Sequence, residues 1–233
     1  MKIRSINVYN LYPAIVSIRN SYKSWNTSDS ISLKPYYLNN GLVSVYNGCE
    51  LGDQDIKLIK KLIHKKNEYG HQERKFLRQI MVSMDIEASI KAWSQIDTYK
   101  VGTTRNSEST MHSLLSTKLS QDNFEKEINP EHIEYINKLI DEYNYLCEDN
   151  LLKDLIDEDT RKRLNFQKKK IFEQIDANLP AGFILNSHWT GNYENLRNIY
   201  HGRLHHKMYW WTQFNEYVRL LPYANILITD DYE

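Results

Sequence analysis

Neither sign of charge dominates this chain: 30 lysines and arginines stand against 30 aspartates and glutamates in 233 residues. That balance excludes a general electrostatic grip on nucleic acid or on an acidic membrane, so a charged ligand has to be held locally. Cysteine is scarce as well. Cys49 and Cys147 are far apart and fit no metal-ligand spacing, which reads as two buried free thiols in a reducing cytoplasm. No apolar run approaches the roughly 20 residues that span a bilayer. The leading MKIRSINVYN has no apolar signal-peptide region. Phosphate-cradling glycine loops are missing too, both the dinucleotide fingerprint and the P-loop. So are a nucleophile elbow and a cysteine–histidine signature. A bound nucleotide therefore has to be held by side chains and helix ends.

What is present in quantity is tyrosine, 17 residues, beside abundant Asn, Lys and Ile. That is the composition expected of an AT-rich coding sequence from a phage or a low-GC bacterium. The length is enough to bury a real core. With no internal repeat or low-complexity tract, one domain over 1–233 is expected.

Periodicity gives a coarse reading. INVYNLYPAIVSI reads as strand, turn and then strand or short helix, and SWNTSDSISLKPYYLNNG reads as an exposed loop. DQDIKLIKKLIHKKNEYG is helical, with Ile56, Ile59, Leu62 and Ile63 on one face, Asp53 as its cap and Gly70 as its stop. FLRQIMVSMDIEASIKAWSQI starts as a strand through Phe76, Ile80, Val82 and Met84 and then turns helical. TYKVGTTRNSESTMHS reads as a loop. Two long helices follow, the first with Pro130 in its first turn and a stripe of Ile133, Ile136, Leu139, Ile140, Tyr143 and Leu146. LPAGFILNSHW is strand or loop. A last helix starts near Asn192, whose side chain accepts from the amides of the first turn.

That last helix lies in HWTGNYENLRNIYHGRLHHKMYWWTQFNEY, which packs four histidines and three tryptophans into residues 188–217. His201 and His205 share a helix face, as a two-histidine zinc pair would. No glutamate stands at the zinc-protease position and no third ligand is evident, so polar side chains lining a cleft are the better reading. Each of Trp93, Trp189, Trp210 and Trp211, taken singly, reads as core. Asn192, Asn198, Arg203 and Gln213 interleave with those aromatics, and a helix with such residues in its apolar face either pairs them or points them at a ligand.

These residues resemble the flavin-dependent thymidylate synthases. The match is densest in LPAGFILNSHWTGNYENLRNIYHGRLHHKMYWWTQ: Leu179-Pro180, Trp189-Thr190-Gly191-Asn192, the substrate-contacting arginine at Arg203, and Trp210 seven residues later. IRNSYKS looks like the family's N-terminal Arg-x-Ser-Tyr segment. LIKKLIHKKNEYGHQE looks like the helix leading to its Gly-His, with His71 at the flavin-contacting histidine. IKAWSQIDTYKVGTTRNSES stands in the place of the signature motif. The resemblance covers roughly residues 5–220. It implies an α/β fold of α+β type, a mixed sheet packed with long helices, and a homotetramer with sites built across subunits.

The departures fall on the charges. The signature Arg-His-Arg is Gln95, Ile96 and Asp97 here, while Asn106 and Ser109 are kept and Met111 replaces the last arginine. Glu194 replaces a flavin-contacting arginine, Lys207 a histidine, and Asp176 a nucleotide-phosphate arginine. A bidentate charge-assisted contact contributes roughly 1.5–3 kcal/mol, so losing several reverses the local field. The cations left to compensate are Lys100 and Arg105 in the lengthened loop, Arg197 and Lys207 in the last helix, and Arg74 or Arg78 after His71.

Two functions follow from the resemblance. One is an enzyme holding FAD and moving a one-carbon unit from methylene-tetrahydrofolate, with NADPH as reductant, to C5 of dUMP or dCMP. Arg203 would then be catalytic and substrate-binding. His71, Asn106, Asn192 and Asn198 would bind cofactor, and Ser109 and Arg105 would bind substrate. The other is a non-catalytic binder of a pyrimidine deoxynucleotide that has lost flavin chemistry.

Overall fold

Alternation in KIRSINVY, with Ile3, Ile6 and Val8 buried, makes β1 (Lys2–Tyr9) a strand with one face in the core. The structure is a computed structural model and describes residues 1–63, 70–148 and 157–231; the side chains of 70–71, 111–113 and 148 also lie outside it. Asn10, in the left-handed region at φ 67°, makes the turn expected after the strand and leads the chain into helix α1 (Leu11–Ser17).

The remaining elements are β2 (Ile31–Ser32), β3 (Tyr36–Leu38), β4 (Val43–Tyr46), β5 (Cys49–Glu50), α2 (Asp53–Ile63), α3 (Gly70–Glu73), β6 (Met81–Ser89), α4 (Ile90–Ile96), β7 (Thr104–Ser107), α5 (Thr110–Ser116), α6 (Pro130–Glu148), α7 (Glu158–Asn178), β8 (Ile184–Asn192), α8 (Tyr193–Arg203), α9 (Tyr209–Arg219) and α10 (Ala224–Leu227). Six strands form one sheet in the order β3-β4-β1-β6-β8-β7. Strand β1 runs parallel to β4 and antiparallel to β6, so the sheet is mixed, as expected. No helix among the described residues is long and apolar enough to cross a membrane.

The chain divides into two compact units: Met1–Glu87 with Ser94–Asn106 and Asn186–Glu233, and Ala88–Trp93 with Ser107–Leu185. In the first, Ile6, Val8, Val43, Val45, Val82, Met84 and Ile86 fill the buried face of the sheet, with Leu11, Ile15, Ile59, Leu77, Trp211 and Phe214 from the helices. The opposite face is polar and partly open. Ser5 donates to Asp85 at 2.6 Å, and the His188 ring lies 2.7 Å from the same carboxylate. Helix α2 is anchored by a fully buried ion pair: Arg19 Nε and its neighbouring nitrogen each lie 2.6 Å from Asp55 Oδ1. The second carboxylate oxygen of Asp55 accepts from the hydroxyls of Ser28 and Ser30, both at 2.6 Å.

In the second unit, α6 and α7 pack along Ile136, Leu139, Ile140, Ile171 and Ile175. Trp93 Nε1 donates to the Leu185 carbonyl at 3.2 Å, and the Ile90 and Lys91 amides donate to Phe183 and Ala181, both at 2.9 Å. Asp157 caps α7 by accepting from the Thr160 amide at 2.8 Å.

Several expectations need correction. Asp53 does not cap α2; Asp29, far back in sequence, accepts from the Gln54 and Asp55 amides at 2.9 and 3.1 Å. Those amides hold the Asp29 carboxyl below its ordinary value. Gly70, expected as the stop of this helix, opens α3, and residues 64–69 before it lie outside the described residues. Phe76 sits in a 3-10 turn (Lys75–Gln79), so the strand begins only at Met81. The two expected loops contain short strands: β3, which pairs with the neighbouring β4, and β7, which lies at the sheet edge beside β8. Of the two thiols, Cys49 is buried, and burial pushes it up to about 12, whereas Cys147 is half-buried.

Candidate functional site

Trp189-Thr190-Gly191-Asn192 ends β8 and starts α8. Gly191 is required there, because an added Cβ would meet the Trp189 ring at 2.3 Å. Asn192 then closes a capping box with Asn195: its side chain accepts from the Asn195 amide at 2.9 Å, and the Asn195 side-chain oxygen accepts from the Asn192 amide at 3.1 Å. The Asn195 side-chain Nδ2 donates to the Val101 carbonyl at 2.8 Å, and Gly102, in the left-handed region at φ 76°, passes over the same helix end. The Val101–Gly102 turn thus lies against the first turn of α8. Asn192 carries the helix start, as its sequence position predicts.

Expected to run on through the aromatic stretch, the helix instead breaks at Leu204–Met208 and resumes as α9. The break brings Trp211 back toward Arg203. Trp211 is fully buried, and its Nε1 donates to Gln95 Oε1 at 2.8 Å. The Arg203 guanidinium carbon lies 5.1 Å from the Trp211 ring centroid and 5.4 Å from that of Tyr99. The two rings meet edge to face at 6.3 Å. Cation–π contacts of this kind contribute roughly 0.5–2 kcal/mol and fix the direction of the guanidinium. Gly202 completes the corner, since a Cβ there would stand 2.8 Å from the Tyr99 hydroxyl. Arg203 is half-buried. Its Nε has no acceptor among the described residues, and no carboxylate among them pairs with it.

The other cations around α8 are engaged. Arg78 forms a bidentate ion pair with the buried Glu194, the longer contact at 3.4 Å. Arg105 lies 3.2 Å from Asp97. Arg197, buried, donates to both oxygens of Asp230 and, at 3.1 Å, to the Ile228 carbonyl. Burial and the neighbouring Arg197 hold the Arg74 guanidinium below its ordinary value. Lys100 and Lys207 are exposed. Two of the three acids that stand where the resemblance expects arginines, Asp97 and Glu194, are thus matched by arginines inside the chain.

The expected site residues are placed as follows. Asn106 is exposed at the end of β7. Asn198 is exposed on α8, and five residues from Arg203 puts it about 140° around the helix, so the two face different directions. Ser109 precedes α5 in the second unit and is exposed. The side chain of His71 lies outside the described residues. Its neighbours Gln72, Glu73, Lys75 and Phe76 line a cavity of about 360 Å³ with Ser17, Asn20 and Tyr22, so the IRNSYKS and GHQE segments do converge. Tyr99 and Gln95 were not among the expected site residues. The signal available was their place beside the expected loop, Gln95 three residues before it and Tyr99 its second residue.

His201 Nε2 donates to the Ile228 carbonyl at 2.9 Å, and among the described residues no three histidines, cysteines or carboxylates gather as a metal would need. Burial, then the Arg197 charge, lower the His201 pKa below 6.5. The folded state therefore favours neutral His201. Its contribution to stability is present above 6.5 and is lost as the unfolded chain takes up a proton below that value. Urea unfolding midpoints are expected to fall between pH 7 and pH 5, and His201→Gln is expected to flatten that slope. An unchanged slope in the variant would remove His201 from the account.

FAD carries a pyrophosphate and calls for converging cations. At the positions where the resemblance expects arginines this chain has Gln95, bonded to Trp211, and Asp97 and Glu194, paired with Arg105 and Arg78. These residues do not fit that group.

No family model matches the sequence, and no curated protein matches it. Among solved structures, the flavin-dependent thymidylate synthase of Helicobacter pylori, complexed with FAD and dUMP, is similar with a TM-score of 0.61 at 15% identity over 99% of both chains. A second structure of the same enzyme with FAD and dUMP gives 0.61 at 14% identity over 99% of this chain and 98% of that one. At such identity the likeness is one of fold: this chain is built on the flavin-dependent thymidylate synthase fold.

Proposed function

We propose that the chain binds a pyrimidine deoxynucleoside monophosphate at the Arg203 corner and has given up flavin chemistry. The observation that carries this is the contrast among the arginines: Arg78, Arg105 and Arg197 are each matched by a carboxylate, whereas Arg203 is held between two rings without one. A guanidinium oriented by stacking and left without a counter-charge is prepared for a phosphate or a pyrimidine carbonyl. The structural neighbours bind dUMP, which supports this ligand class.

The test is calorimetric titration of dUMP and dCMP into the purified protein at low salt. Binding is expected to weaken roughly 10- to 100-fold in Arg203→Met, the loss of one bidentate contact. Arg203→Lys should not restore it, because an ammonium has neither the fork nor the stacking plane. Equal affinity in wild type and Arg203→Met would end the proposal.

A second reading, one-carbon transfer from methylene-tetrahydrofolate to C5 of the pyrimidine in a homotetramer, is favoured by the 360 Å³ cavity between the Ser17–Tyr22 and Gln72–Gln79 segments. Flavin absorbance in the purified protein, or uptake of added FAD, supports this second reading against the first. A colourless protein that binds dUMP and takes up no flavin supports the first.

A further inference from the structure

We propose that the second unit carries a separate binding site for a small organic monoanion, a carboxylate on an aromatic or apolar body, with Lys168 as its counter-charge. The buried stripe of α7 runs through Lys168, Ile171 and Ile175, so a lysine occupies a place in the row where spacing calls for an apolar side chain. Lys168 is 8% exposed, and no hydrogen bond or ion pair to it exists among the described residues. The stem of Lys168 is covered by the row while its ammonium keeps access to the cavity, so an anion entering there meets a charge that nothing in the described chain answers.

The nearby carboxylates are committed elsewhere. Asp141 takes Lys118 at 2.8 Å, and Glu173 lies 3.8 Å from Lys169. Lys168 opens into a cavity of about 590 Å³ with Leu115, Ser116, Tyr143, Asn165 and Phe172. That volume lies within the roughly 300–1,000 Å³ of small-molecule sites. Tyr143 and Phe172 offer flat apolar surface, and Ser116 and Asn165 offer hydrogen bonds. Fixed geometry surrounds it: Asn144 donates to the Leu115 carbonyl at 3.0 Å, and the Asn137 amide bridges both backbone groups of Leu119 at 2.8 and 2.9 Å. These bonds pin the end of α5 to α6 and hold the cavity open. One ammonium balances one negative charge. A phosphate dianion would bring a second charge that Lys169, exposed and facing Glu173, is poorly placed to neutralise.

The experiment compares phenylacetate, its neutral amide phenylacetamide, and inorganic phosphate on the full chain, by ligand-observed NMR and thermal shift. Phenylacetate is expected to bind at least tenfold more tightly than phenylacetamide, and phosphate not to compete with it. Lys168→Met, which keeps length and removes charge, is expected to abolish the preference for the acid. Without ligand, that variant should melt at the same temperature as wild type or higher, because it exchanges a solvent-reached ammonium without a counter-charge for an apolar side chain of similar length. A lower melting temperature would make Lys168 a structural residue and overturn the proposal. So would equal binding of acid and amide, displacement by phosphate, or no binding of phenylacetate to the wild type.

Discussion

Replacing Asp55 with alanine is expected to lower stability by about 3–5 kcal/mol, enough to unfold a marginal domain. Asp55 is fully buried, and its carboxylate is the counter-charge of Arg19, whose side chain is only 9% exposed. Removing it strands a guanidinium in the interior and leaves the hydroxyls of Ser28 and Ser30 without their acceptor. Both changes oppose the folded state. Asp55→Asn should recover part of the loss, since the amide still accepts one serine, but not the charge. The double substitution Arg19→Met with Asp55→Leu should be milder than Asp55→Ala alone, because it removes the stranded charge as well. Urea unfolding followed by far-UV circular dichroism measures all three. A loss under about 1 kcal/mol for Asp55→Ala would mean that Arg19 finds another partner or escapes to solvent.

Trp211→Ala is expected to reduce stability by a similar amount, about 3–5 kcal/mol, the range for deleting a buried indole. Here the stability effect and the ligand effect are linked. Trp211 meets Phe214 edge to face at 5.8 Å, holds Gln95 by hydrogen bond, and forms one wall for Arg203. Trp211→Phe keeps much of the packing but loses the hydrogen bond and the larger ring. It should therefore retain most of the stability while dUMP affinity still falls. A double-mutant cycle between Trp211→Phe and Arg203→Met isolates the stacking energy, expected at about 0.5–2 kcal/mol. A coupling near zero in both stability and dUMP affinity would show that the ring does not orient the guanidinium.

How far the sequence spoke depends on distance along the chain. The apolar stripe of α6 and the Asn192 cap of α8 are local patterns, each contained in a few turns, and both stand where spacing put them. The Asp29 cap of α2 and the strand β7, which lies beside β8, depend on partners many residues away, which periodicity does not encode. The same holds for the charges. Gln95, Asp97 and Glu194 could be seen as departures from the arginine pattern in the sequence. That Arg105 and Arg78 answer the two acids is visible only in space, across 116 residues in the second case. A clue was present nonetheless: acids had entered the motif while the overall charge stayed even. Compensation inside the chain is one way to keep that sum.

The position of β8 sets the order in which the molecule can be made. It lies between β6 and β7 in the sheet, yet it is the last strand to be synthesised. On the ribosome, β1, β4 and β6 can assemble early, but the outer edge of β6 stays bare until residue 192 has left the exit tunnel. Over that interval it presents unpaired amides and carbonyls to any neighbouring nascent chain. Truncations that stop before β8 should therefore accumulate as insoluble material rather than as half a protein.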